Sequence, residues 1–234
     1  MLGYTTEEVR RNFGPYIQHI ADKRDTSSEE VFDEIKQWYN GYRFAKEAIR
    51  VYNPFSTLKY LKAQEPTSYW YTSGTPSFLV HQIKKYPTTT LAVAGIRATE
   101  NRLADVRGTE DVDLPILMFQ AGYLTIQDWE YDHILKTTIF KLDFPNEEVH
   151  QAFYQSLIHD LGKLAPEEIV GQATQLRQAL TTLDLATFIQ IINAHFAKIP
   201  YDAFRDAKEG FYQAMLLLCL DLSGIRTYAE VHTS

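Results

Sequence analysis

Few of the 234 residues stand in types and spacings from which chemistry could be assembled. The stretch WYNGY gathers Trp38, Tyr39 and Tyr42 around a glycine turn. Such a cluster either latches a hydrophobic core at a helix end or offers ring faces and hydroxyls to a ligand, so these three are candidate interaction residues. In TSGTPSFL, Gly74, Thr75 and Pro76 open a helix whose unpaired amides could face a polar or anionic group, the alternative being a plain capped helix. Glu209 heads the last apolar helix, an ordinary place for an acid favoured by the helix dipole. Arg97, Arg102 and Arg107 form a cationic series, but Glu100, Asp105, Glu110, Asp111 and Asp113 cancel most of its field.

The common catalytic signatures are missing. No glycine-rich run closes in Gly-Lys-Ser/Thr, no Gly-x-Ser-x-Gly elbow occurs, and the seven histidines show no HExxH spacing. Cys219 is the single cysteine, in an apolar helical run; an intrachain disulfide is excluded, a zinc site disfavoured and a reducing compartment expected. The formal net charge of −7 argues against loose attachment to nucleic acid or anionic membrane while allowing a local basic patch. Thr5 to Arg11 is polar where a signal peptide needs an apolar run, and Ala214 to Leu220 is too short to span a bilayer. A cytoplasmic protein is expected, with no membrane partner.

The elements that must position these residues are mostly short helices. Thr5 with Glu8 and Ser27 with Glu30 have capping-box spacing. Val31, Ile35 and Trp38 then share a face that Gly41 ends, while Asn53-Pro54 and Thr75-Pro76 start two further helices. Their expected apolar faces are Leu58 with Leu61, and Leu79, Ile83 and Tyr86. ATENRLADVRGTEDVD reads as an exposed connection. Asp113 to Ala121 reads as a short apolar helix, followed by the strand YLTIQDW, a turn at EYDH and the strand KTTIFKLDF. There Phe140, Leu142 and Phe144 alternate with charged residues. A helix followed by a hairpin is the closing half of a winged helix. Helices resume with Val149, Phe153 and Leu157, then Ile169, Leu176, Leu180 and Leu183, then Phe188, Ile192 and Phe196, then Phe211, Met215, Leu218 and Leu222. Tyr228 to Val231 reads as the start of a strand.

The blocks LGYTTEEV, WYNGYRF, VYNPFSTLKYL, YWYTSGTPSFLV, ILMFQAGYLTI, FPNEEV and EGFYQAMLLLCLDLSG…AEVHTS occur in the order of similar blocks in a large bacterial family. The chain resembles those proteins, which join an AAA-ATPase-like domain to a nuclease-like domain of the PD-(D/E)XK superfamily. The resemblance implies a mainly α chain: a helical lid and winged-helix-like hairpin in 1–146, then in 147–234 a helical segment leading into a truncated nuclease-like α/β domain. It also implies a P-loop before the first block and a metal-binding Asp with Glu-x-Lys after the last, so the chain resembles a middle portion. By the same resemblance Gly74, Thr75 and Pro76 would lie near the adenine, and Glu209 would be one acid of a partial nuclease site. The parent would use ATP and Mg²⁺, and this chain would meet the ATPase core, the nuclease core and, through the parent, nucleic acid. The implied role is non-catalytic, connecting a nucleotide switch to nucleic-acid processing; a winged-helix nucleic-acid-binding module and a protein-interaction scaffold are the alternatives.

Overall fold

The computed structural model describes residues 3–70, 96–104, 114–162 and 166–198, with positions 216, 220 and 223–225. The expected helix at Thr75-Pro76, residues 105–113, most of the last apolar helix with Cys219, and the strand at Tyr228 to Val231 lie outside the described residues. The chain is mainly helical with a small antiparallel sheet, and it divides into two units, one ending at Ala152 and the other continuing from Phe153.

In the first unit, α1 (Thr6–Arg24) and α2 (Ser28–Tyr39) both open with the reciprocal capping box that their sequences encode. The Thr5 hydroxyl accepts from the Glu8 amide at 3.1 Å, and the Glu8 carboxylate accepts from the Thr5 amide at 2.8 Å. Ser27 and Glu30 repeat the arrangement at 3.2 and 2.9 Å. Each box satisfies amides that a first helical turn leaves unpaired. The faces behind them bury Val9, Ile17, Ile20 and Ala21 against Val31, Phe32, Ile35 and Tyr39.

Helix α3 (Pro54–Ala63) is capped by Asn53, whose side chain accepts from the amides of Phe55 and Ser56. Its inward face differs from expectation in part. Leu61 packs against the core as expected, whereas Leu58 is exposed, and Ser56, Thr57 and Tyr60 are buried. This reversal is tolerable because every buried hydroxyl has a partner: Thr57 donates to the Asn53 carbonyl at 2.7 Å, Tyr60 donates to Glu34, and Ser56 donates to Glu148.

A short strand, β1 (Ile96–Thr99), leads directly into α4 (Glu100–Ala104). The exposed connection expected over this stretch is therefore corrected at its start, where Ala98 is buried and β1 pairs antiparallel with β3. Four residues are too few for a period-two signal to stand out. After α5 (Leu114–Gln120) come β2 (Thr125–Asp132) and β3 (Thr137–Asp143), giving the sheet order β1-β3-β2. Phe140, Leu142 and Phe144 are buried, as their alternation requires. The turn falls at 133–136, later than expected, because the Asp132 carboxylate accepts from the amides of Ile134 and Leu135 at 2.8 and 2.9 Å. That contact closes the loop beyond Asp132 and lets Glu130 to Asp132 stay in the strand.

Helix α6 (Glu147–Gly162) starts in the first unit and continues into the second. The second unit also contains α7 (Pro166–Thr181) and α8 (Leu185–Lys198). Leu176 is buried as expected, whereas Leu183 is 81% exposed and turns the chain with φ 58°. Asp184 then caps α8 by accepting from the Thr187 amide at 3.0 Å. Among the described residues, no helix is long and apolar enough to cross a membrane.

Candidate functional site

Glu148, in the first turn of α6, is a carboxyl drawn wholly into the interior. Asn146 caps that helix, accepting from the Val149 amide at 3.1 Å, while its side-chain amide donates to the Asn40 carbonyl at 2.9 Å. The cap thus ties the start of α6 to the end of α2. Gly41 makes the approach possible: its φ is 113°, and a Cβ at this position would lie 1.9 Å from the Pro145 carbonyl oxygen. Only glycine satisfies both the dihedral and the contact.

Once docked this way, Glu148 is fully buried. Its Oε1 accepts from the Ser56 hydroxyl at 2.7 Å and from the Trp70 amide at 2.8 Å, and its main-chain carbonyl accepts from the Ser68 hydroxyl at 3.0 Å. Among the described residues Oε2 is buried without a hydrogen-bond partner. Burial pushes the Glu148 carboxyl up to about 7, against the opposing pull of Trp70, Ser56 and the Tyr69 amide. Burial first, and the neighbouring Glu148 charge second, also raise the Tyr42 phenol.

A second junction lies beside this one. Thr125 accepts from the Arg43 amide at 2.6 Å and donates to the Arg43 carbonyl at 2.8 Å, while the Ile126 amide donates to the same carbonyl at 3.0 Å. β2 carries a bulge at Gln127 between the paired residues Ile126 and Asp128. Both Arg43 and Arg50 donate to the Gln127 carbonyl, satisfying the acceptor that the bulge removes from the ladder.

Of the residues singled out from the sequence, Tyr39 and Tyr42 are interior and Trp38 is packed partly buried against the core. The Tyr39 hydroxyl donates to the Thr67 carbonyl and accepts from the Thr67 amide, both at 3.1 Å. Its ring lies 5.7 Å from that of Tyr60 and 6.2 Å from that of Tyr69. WYNGY therefore supplies an interior wall. Gly74, Thr75, Pro76 and Glu209 lie outside the described residues. Sequence reasoning missed Glu148 and its partner Ser56. The Asn-Glu-Glu run of FPNEEV signals a helix cap, but nothing local distinguishes its second acid as the buried one.

Among the described residues, no group of three or more His, Cys, Asp or Glu side chains converges to hold a metal ion. What the arrangement does chemically is hold a proton: a carboxyl with pKa near 7 exchanges charge at neutral pH while fixing α3, residues 68–70 and α6 together. In the second unit a cleft of about 550 Å³ between α7 and α8 is lined by polar and apolar side chains alike, among them Gln175, Gln178, Thr187, Ala179, Ile191 and Ala194.

The chain is 32% identical over 239 residues to the "Uncharacterized protein in vnfD 5'region" of Azotobacter chroococcum mcd 1. That match covers 100% of this chain and 43% of the relative, so the chain spans less than half the length of the curated protein it matches. No protein-family model matches the chain. No solved structure matches it either.

Proposed function

We propose that this chain is a connecting and regulatory segment of a protein similar to the AAA-ATPase-like/PD-(D/E)XK nuclease-like fusions. In that parent it would carry motion between a nucleotide switch and a nucleic-acid-processing part. The observation that carries the reading is the double junction of residues 40–43 with Thr125 and with Pro145 and Asn146. It joins the α1–α3 helices to the sheet, so a displacement of one is transmitted to the other. Strand–helix–helix–strand–strand order, with β1 on β3, further supports a winged-helix-like module following a helical lid.

That topology also favours a nucleic-acid-binding module as a second reading, but the α5 surface works against it. Leu114, Pro115, Ile116 and Met118 are buried, and LPILMFQ carries no cation with which to contact phosphates or bases. ATP and Mg²⁺ belong to the proposed parent.

The test uses the purified chain. Nucleotide hydrolysis and Mg²⁺-dependent cleavage of DNA or RNA are expected to stay at the buffer background. Duplex DNA binding is expected to be weak and to lack the steep salt dependence of a basic reader. Turnover by the chain overturns the connecting role, and tight salt-dependent duplex binding moves the assignment to the second reading.

A further inference from the structure

Glu148 sits where four separate stretches of sequence meet. Ser56 comes from α3, Ser68 and Trp70 from the segment after it, Asn146 from the cap of α6, and Tyr42 from the turn after α2. Among the described residues its hydrogen-bond partners are all neutral. Among the described residues, the titratable groups that face it from other elements are the phenols of Tyr39 on α2, Tyr42 in the following turn and Tyr69 in the 65–70 segment. On its own helix, Glu147 and His150 stand 3.8 Å apart.

We propose that Glu148 is a proton-operated latch on residues 68–70: protonated, it holds Trp70 and Ser56 against α6, and deprotonated, it favours release of the segment. The release follows from charge. Among the described residues, an ionised carboxylate in this pocket has an Oε2 without a hydrogen-bond partner and no cation beside it, and lifting the covering segment would admit water to it. The neutral acid keeps Oε1 as an acceptor for Ser56 and Trp70 and carries no charge that needs solvation. Ionisation at neutral pH, with burial as its largest cause, places the switch within a physiological range. The latch stands on this geometry alone and is independent of the proposed connecting role.

The experiment is NMR-detected hydrogen exchange of the Trp70 amide, with protection factors corrected for the intrinsic pH dependence of exchange. For a group that moves from 4.5 when exposed to about 7 when buried, linkage gives a fall in protection of about tenfold between pH 6 and 8. Glu148→Gln keeps the acceptor, cannot ionise, and is expected to show flat protection across that range. Ser56→Ala removes a donor that stabilises the charged form, so its transition is expected at higher pH than in the parent chain. Protection that stays flat in the unaltered chain, or falls equally in Glu148→Gln, overturns the latch. Should Glu148→Gln fail to fold, the Ser56→Ala midpoint decides: an upward shift supports the latch and an unmoved midpoint rejects it.

Discussion

At the start of α2, Glu30 accepts from Thr26 and Ser27 in open solvent, and those hydrogen bonds draw its pKa down to about 2. At the start of α6, Glu148 accepts from Ser56 and from the amides of Trp70 and Tyr69, yet its pKa rises to about 7. Both acids occupy a first helical turn, where the dipole favours negative charge. The difference lies in access to water. Hydrogen bonds dominate for the exposed carboxylate, whereas lost solvation outweighs comparable bonds for the buried one. Glu30 acts on its own helix, while Glu148 reaches partners 92 and 78 residues away in sequence.

The strongest way to break the contrast is to undo the docking that buries Glu148. Gly41→Ala forces a side chain into positive φ and into the Pro145 carbonyl, and is expected to cost more than about 3 kcal/mol in denaturant unfolding. The N-terminal capping boxes, Thr5 with Glu8 and Ser27 with Glu30, bond within their own helix ends and not to Gly41, and serve as the internal control. A variant of normal stability would show that the approach of Pro145 to residue 41 is not required.

A pH series separates the two acids by sign. Glu148 has its folded pKa raised, so its contribution is fully present below about 4.5 and is lost as pH rises through 7. The loss between pH 5 and 8 is expected to be about 2.5 kcal/mol. Glu30 has its folded pKa lowered, so its contribution is present above 4.5 and is lost as pH falls toward 2. Unfolding free energy measured across this range is therefore expected to decline on the alkaline side, and Glu148→Gln to abolish that decline. An unchanged slope in the variant would assign the decline to other groups.

Smaller effects are expected at the exposed end of the comparison. Ser27→Ala removes one side of a capping box and is expected to cost about 1 kcal/mol. Arg10→Ala breaks the ion pair with Glu29, whose side chains are 50% and 61% exposed, and also lifts a guanidinium 3.8 Å from the Phe32 ring. Together these are expected to cost about 1 kcal/mol or less, with the ion-pair share vanishing in high salt. A salt-independent loss would assign the effect to packing on Phe32.

What could be read from sequence follows the same division. Thr5 with Glu8, Ser27 with Glu30, and Asn53 with Pro54 declare themselves because cap and helix are neighbours in the chain. The β3 alternation is equally local. The inward turn of Ser56 and Tyr60 is not, since its compensation comes from Glu148 and Glu34 on other helices. The same limit hid the Glu148 pocket: WYNGY reads as an aromatic turn and Asn53-Pro54 as a cap, and only their assembly with Trp70 and the start of α6 makes a buried carboxyl. β1 escaped because its pairing with β3 joins distant positions, from Thr99 with Ile139 to Ile96 with Leu142.

The 92-residue separation of Ser56 from Glu148 also orders events during synthesis. At about 5–20 residues per second, Ser56 is incorporated roughly 5–20 s before its acceptor is made. Thr57 and Tyr60 already have Asn53 and Glu34 to bond, so through that interval Ser56 alone of the three inward hydroxyls waits for its acceptor. A pause in translation between these positions would lengthen the time that this one hydroxyl spends bonded to water instead of to Glu148.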